Sequence, residues 1–281
     1  MKIIACVDGS IYSESVADHA AWAARQLSAP VELLQVLGRR DTPVTDYSGN
    51  ITAEAQASLL AKLAAIDAER ARLVFEHGRL VMEQVRGRLV SQGLPDVTIT
   101  LRHGDLLEAI SEREATANLI VIGKRGEAAD FARLHLGSNL ERVVRASHRP
   151  ILVASRAFKP ITRALIAFDG GPSATKAIDH AAQSPLFAAV AIQVVTVGKD
   201  DAETRGRLDA AAARLSAKGL AVDTRIVPGI PDKAIASMVE ANGIDLLVMG
   251  AYGHSRIRNL IIGSTTSEMI RSCKVPVLLF R

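Results

Sequence analysis

The chain has 281 residues, 48% hydrophobic and 23% charged, which is room for two globular domains with a core each. Its formal net charge of +4, from 34 basic and 30 acidic side chains, is too small and too dispersed to mark a nucleic-acid binder, and no basic run carries interleaved aromatics. Cys6 and Cys273 have no CxxC partner, which excludes a disulfide scaffold, and no apolar run approaches the roughly 20 residues that span a bilayer.

The opening MKIIACVDGS reaches Asp8 too soon for a signal peptide, so a soluble cytoplasmic protein with no membrane partner is expected. In chain order, a strand is predicted over 2–7, a helix over 13–28 and a strand over 31–37. A long helical segment follows over 51–91, in which Ile66, Leu73 and Leu80 recur every seven residues, joined by Leu59 and Leu63. It reads either as one helix of about 60 Å or as a hairpin broken near Gly78. Its apolar stripe calls for a cover from its own domain, the other half, or a partner. The first half then continues with strand 97–102, helix 105–116, strand 118–123, helix 138–147 and strand 150–154. Glu108, Glu112 and Glu114 read as a solvated face of the helix over 105–116.

The second half repeats the pattern. Strands are predicted over 162–168, 189–196, 221–227, 245–250 and 276–280, with helices over 173–184, 203–218, 232–242 and 264–273. KIIACVDGS at 2–10 answers RALIAFDGG at 163–171, NLIVIGKRG at 118–126 answers DLLVMGAYG at 245–253, and GSNLERVVRASHRPILV at 137–153 answers GSTTSEMIRSCKVPVLL at 263–279. Three matches in one order indicate an internal duplication, with domains expected over 1–157 and 158–281. Continuous runs such as Leu246-Leu247-Val248-Met249 suit parallel strands covered on both faces, and strand–helix alternation suits an open α/β sheet. The Pro-led last strands are expected to pair with each other about a pseudo-two-fold axis, because each otherwise leaves an open edge.

The sharpest chemical pattern is Gly250-x2-Gly253-x9-Gly263-Ser264-Thr265. Glycines let a backbone approach a phosphate, and the unpaired N–H groups at a helix start favour an anion. Ser264, Thr265 and Thr266 can add hydroxyl contacts. The other reading is that these glycines serve only turns and capping. Neither GxGxxG nor GxxxxGK[ST] is present, so dinucleotide-fold and P-loop readings fail. Asp169 ends the first strand of its half, on the side where open sheets bind ligands. It suits either a ribose hydroxyl or cation, or an Asx-turn before Gly170-Gly171-Pro172-Ser173.

These motifs resemble the universal stress protein family, and the whole chain resembles its tandem two-domain form. The resemblance rests on the G-2x-G-9x-G-[ST] pattern, on Asp8-Gly9 and Asp169-Gly170, and on the Pro-led final strand in each half. It implies an α/β fold of two repeated open five-stranded parallel-sheet sandwiches of the universal stress protein (adenine nucleotide alpha hydrolase-like) type. It also implies ATP, possibly with Mg2+, as the bound cofactor. On the resemblance, Asp169 and Val195 hold the nucleoside, while Gly250, Gly253, Gly263, Ser264 and Thr265 hold phosphates.

The first half departs from the pattern. It reads Gly123-x2-Gly126-x10-Gly137-Ser138, with Asn139 in place of a hydroxyl residue, Glu127 and Asp130 in the loop, and Arg133 and His135 as possible counter-charges. In the second half Tyr252 replaces a histidine common in relatives, and Gly171-Pro172 alters the turn. The expectation is therefore that nucleotide binds chiefly in the second half.

No HExxH, GxSxG or other catalytic constellation is present, and no dedicated base is displayed. His19 and His180 read as helix-surface or capping residues, while His254 lies where it can approach a phosphate. A non-enzymatic, ATP-binding stress-response protein acting through conformation or contact is the leading reading, with at most weak ATPase activity. The alternatives are an interaction or scaffold protein with a vestigial site, and a binder of another nucleotide-like anion. Self-association or a protein partner is expected through the helical insertion.

Overall fold

A computed structural model describes residues 1–38, 53–124, 137–252 and 262–281. The first half runs β1 (Lys2–Cys6), α1 (Ser13–Leu27), β2 (Val31–Leu37), α2 (Ala53–Ser91), β3 (Val97–His103), α3 (Leu106–Ser111), β4 (Ala117–Gly123), α4 (Ser138–Ala146) and β5 (Ile151–Ala154). The second runs β6 (Arg163–Ala167), α5 (Pro172–Gln183), β7 (Ala191–Val197), α6 (Ala202–Ser216), β8 (Val222–Val227), α7 (Pro231–Ala241), β9 (Leu246–Gly250), α8 (Ser264–Ser272) and β10 (Val277–Phe280).

The strands form one sheet in the order β3-β2-β1-β4-β5-β10-β9-β6-β7-β8. Within each half every pairing is parallel, and the halves join where β5 and β10 run antiparallel, with Leu152 opposite Leu278. The expected pairing of the two last strands is therefore present. The α/β class holds, but the sheet is mixed and continuous: two parallel sheets have become one because their exposed edges satisfy each other's N–H and C=O groups.

The central strands of this sheet are buried on both faces, the outer β3 and β8 only in part, and alternation along the central strands feeds two cores. Ile3 and Ala5 face a core shared with α1, α5, α6 and the end of α2, whereas Ile4 and Cys6 face one shared with α3, α4, α7 and α8. The predicted helix over 105–116 divides. Asp105 caps α3 by accepting from the N–H groups of Leu107 and Glu108, and α3 ends at Ser111 before a short 3-10 turn at Glu114–Thr116. Glu114 is not on a solvated face: its carboxylate accepts the backbone N–H of His148 and Arg149, tying the turn to the start of β5.

α2 is a single helix of 39 residues, so the hairpin alternative is overturned. Gly78 permits close packing, not a break. A Cβ there would stand 3.2 Å from Leu101 Cδ1 and 3.3 Å from Gln35 Oε1. The buried seam is Gly78, Met82, Val85 and Leu89, reinforced by a two-pronged ion pair from Arg88 to Asp18 at 2.8 Å. The stripe inferred from heptad spacing lies elsewhere: Ile66, Leu73 and Leu80 are 62%, 52% and 62% exposed. Leu80 stands two residues from Gly78, roughly 200° around the helix, so it faces away from the sheet.

Candidate functional site

The second half opens a cleft of about 290 Å3 at the carboxyl ends of β6, β7 and β9. This is where the crossovers of a parallel sheet diverge and leave room for a ligand. Of the sequence-derived site residues, Asp169, Val195, Gly250, Gly263, Ser264 and Thr265 all line it. Gly253, with His254, lies outside the described residues, as do Gly126, Glu127, Asp130, Arg133 and His135 of the first half.

Asp169 follows β6, and its Oδ1 accepts the Gly171 N–H at 2.8 Å, so the Asx-turn is present at the lip of the cleft. Asp8 makes the corresponding turn in the first half by accepting from Ser10 N–H at 3.0 Å. Val195 is buried on the cleft wall, and its carbonyl already accepts the Phe168 N–H at 2.8 Å. β7 continues to Val197, whose side chain also lines the cleft.

The glycines divide by purpose. Gly250 ends β9 against the first turn of α5, where a Cβ would lie 2.8 Å from Ser173 Cβ and 3.1 Å from the Ala174 backbone nitrogen. Packing alone therefore demands glycine at this position. Gly263 is the N-cap of α8 with φ −54° and ψ 142°, a backbone open to any residue, so left-handed geometry is not its reason. Among the described residues no side chain caps α8. Gly263, Ser264 and Thr265 at its start line the cleft, and the first N–H groups of a helix with nearby hydroxyls are the donor set an anion needs. The Thr266 hydroxyl is committed otherwise, donating to the Gly250 carbonyl at 3.1 Å.

Sequence reasoning missed the apolar wall made by Ile235 of α7, Met249 of β9 and Tyr252. Pro231 at the first turn of α7 had marked where that wall begins, since it fixes the helix start and Ile235 follows one turn later. Tyr252 also reaches across the halves, its hydroxyl donating to the Arg145 carbonyl at the end of α4. Lys124, just after β4, makes the reciprocal contact with the Cys273 carbonyl at the end of α8.

The corresponding space in the first half is a cavity of about 80 Å3, lined by Asp8, Tyr12, Gly137 and Asn139 among others. Tyr12 stands four residues after Asp8, where Ser173 stands four after Asp169, so a phenol ring takes the place of a hydroxymethyl group. Cys6 lies on its wall with its thiol pushed up to about 12, first by burial and then by Asp8 and Glu32, which keeps the sulfur protonated. Among the described residues no group of three His, Cys, Asp or Glu side chains is placed to hold a metal ion, and no helix is long and apolar enough to cross a membrane.

Comparison with known proteins agrees with this architecture. The model of the universal stress protein family matches residues 1–155 and 185–281. A universal stress protein of Synechocystis is 36% identical over 285 aligned residues, covering 100% of this chain and 99% of that one. One of Mycolicibacterium smegmatis is 25% identical over 99% of this chain and 96% of its own. The crystal structure of a universal stress protein from Archaeoglobus fulgidus superposes with a TM-score of 0.75 at 21% identity, covering 100% of this chain and 98% of that one, a likeness of fold. With the family model matching in both halves, a full-length relative above 30% identity and the Asp-Gly turn built twice on one sheet, the chain belongs to the universal stress protein family.

Proposed function

We propose that this protein binds an adenine nucleotide, ATP with Mg2+, in the cleft of the second half and acts in stress response through nucleotide-dependent conformation or contact. The observation that carries the reading is the convergence of Asp169, Ser264, Thr265 and the uncapped start of α8 on one cleft with apolar walls. Its volume of about 290 Å3 lies near the lower end of ligand sites, and the larger space in the second half than the about 80 Å3 among the described residues of the first supports the asymmetry. Ile235, Met249 and Val197 suit the flat face of a base, Asp169 a ribose hydroxyl, and the α8 donors the phosphates. Mg2+ would be held chiefly by those phosphates.

The reading takes residues 1–157 and 158–281 as two domains in a cytoplasmic protein and assigns no catalytic residue; hydrolysis would be slow at most. Tyr252 and Lys124, crossing between the halves beside the two glycine loops, supply a route from an occupied loop to the joint. A second reading, a contact protein with a vestigial site, draws on the exposed Ile66, Leu73 and Leu80 of α2.

Titration calorimetry of ATP against the wild type, Gly263→Val and Gly137→Val tests the assignment. One nucleotide per chain is expected, lost in Gly263→Val and kept in Gly137→Val. Each charge-assisted hydrogen bond is worth roughly 1.5–3 kcal/mol, so losing one or two weakens binding by about one to four powers of ten. Two sites per chain, or loss only in Gly137→Val, overturns the asymmetry. Absence of binding in the wild type favours the contact reading.

A further inference from the structure

The duplication creates two clefts beside the β5–β10 joint, and the chain treats them differently. On one side, His19 of α1 is fully buried. Its Nδ1 bonds the Ser15 carbonyl at 2.6 Å, and Phe158 of the connection to β6 packs edge-on against its ring at 5.0 Å. Burial there overturns the helix-surface reading of this histidine, because the connecting segment runs over α1. The Ser15 hydroxyl donates to the Ser155 carbonyl at 2.7 Å and closes the cleft.

On the other side, His180 of α5 occupies the equivalent place, against Phe280 at 5.0 Å, and the Lys176 ammonium donates to the Arg281 main-chain oxygen at 2.9 Å just as Ser15 donates to Ser155. Here a cavity of about 500 Å3 stays open among the described residues, with walls from both halves.

Its charge is not dictated by the fold. Matching the repeats places Lys176, Arg149 and Arg281 where the closed cleft has Ser15, Val275 and Ser155. Three uncharged positions have thus become cationic on the open side, against one exchange the other way, His148 standing where the closed side has Lys274. His148 adds an exposed imidazole, and among the described residues no Asp or Glu lines the cavity. Two carboxylates adjoining the lining residues are engaged: Glu114 with the backbone of His148 and Arg149 and with the His148 ring at 3.6 Å, and Asp179 with Arg214 at 3.1 Å. The guanidinium groups of Arg149 and Arg281 are held in place by main-chain carbonyls, of Glu114 and Ala115 for one and of Ala146 for the other. They are oriented without being neutralised, which suits a fork that reads oxyanions.

We propose that this cleft is a second anion site, separate from the nucleotide cleft, that takes a compact multivalent phosphate bridging the two halves. Lys176 and Arg281 approach it from the second half and Arg149 from the first, so an anion held among them ties the joint together. Asn118 and His180 add neutral polar contacts on its floor.

Equilibrium dialysis of labelled pyrophosphate against the full chain, wild type and with Gly263→Val to remove phosphate binding in the nucleotide cleft, tests the assignment at low ionic strength. Lys176 is an exposed side chain, so its replacement leaves the fold intact. One strongly held pyrophosphate per chain is expected, weakened at least tenfold in Lys176→Glu and retained in Lys176→Arg. Lys274→Glu, the same charge change beside the closed cleft, should leave it unaltered. Competition by orthophosphate identifies a free phosphate ion as the occupant; competition by glycerol phosphate where orthophosphate fails identifies a phosphorylated metabolite. No binding in the wild type, equal binding in Lys176→Glu, or equal loss in Lys274→Glu overturns the proposal.

Discussion

Replacing Gly250 with alanine separates two reasons for a glycine that the sequence motif merges. If it were present only to let phosphate approach, Gly250→Ala would lower nucleotide affinity and leave the empty protein as stable as before. The structure argues otherwise. The added Cβ would sit 2.8 Å from Ser173 Cβ, 3.1 Å from the Ala174 nitrogen and 3.2 Å from the Ser173 carbonyl carbon. Two of those three atoms are backbone at the start of α5, so no rotamer change relieves the contact; the strand end or the helix must move. Overpacking of this kind costs about 1–3 kcal/mol. In a chain of this size that lowers Tm by roughly 2–12 °C. Gly263→Ala is the control. Its backbone at φ −54° and ψ 142° accepts alanine, so the loss should stay near the cost of a weaker N-cap, about 1 kcal/mol or less. Thermal unfolding followed by circular dichroism, without nucleotide, reads both variants. An unchanged Tm in Gly250→Ala would refute the packing argument and return this glycine to the ligand.

The face assigned to α2 is open to an equally direct check. Met82→Ala empties a fully buried position and should cost about 2–5 kcal/mol in denaturant unfolding, whereas Leu80→Ala, 62% exposed, should stay within about 0.5 kcal/mol; comparable losses would mean the seam is placed on the wrong face. Cys6 offers a pH test. Its thiol stays protonated in the folded chain up to about 12 but ionises near 8.5 when unfolded, so the unfolded state holds fewer protons between those values and stability falls as pH rises through them. Cys6→Ala should flatten that part of the stability–pH curve relative to the wild type, and identical slopes would show that the thiol is not shifted.

Much of this protein was legible in its residues because the signals were local and written twice. The Asp-Gly turns, Pro231 at a helix start and the apolar runs of the parallel strands each follow from backbone geometry or burial within a few residues. The pairing of β5 with β10 was also legible, since a Pro-led strand with an open edge needs a partner. The heptad spacing of Ile66, Leu73 and Leu80 showed a helix but misplaced its buried face, because periodicity reports a stripe and not which surface meets it. Gly78, read as a possible break, proved to be a point of close approach to β3 and β2, a fact that belongs to Leu101 and Gln35 as much as to the glycine. Gly250 likewise matched a ligand motif in sequence while its steric reason lay in α5, some 75 residues earlier in the chain. The difference between the two clefts at the joint was legible only in part. The aligned repeats already hold Lys176, Arg149 and Arg281 against Ser15, Val275 and Ser155, but that these side chains gather beside His180, while the connecting chain brings Phe158 over His19, is decided by the tertiary structure. Sequence determines local conformation and which side chains must leave water. Which distant atoms then come within van der Waals contact is decided by how the layers pack.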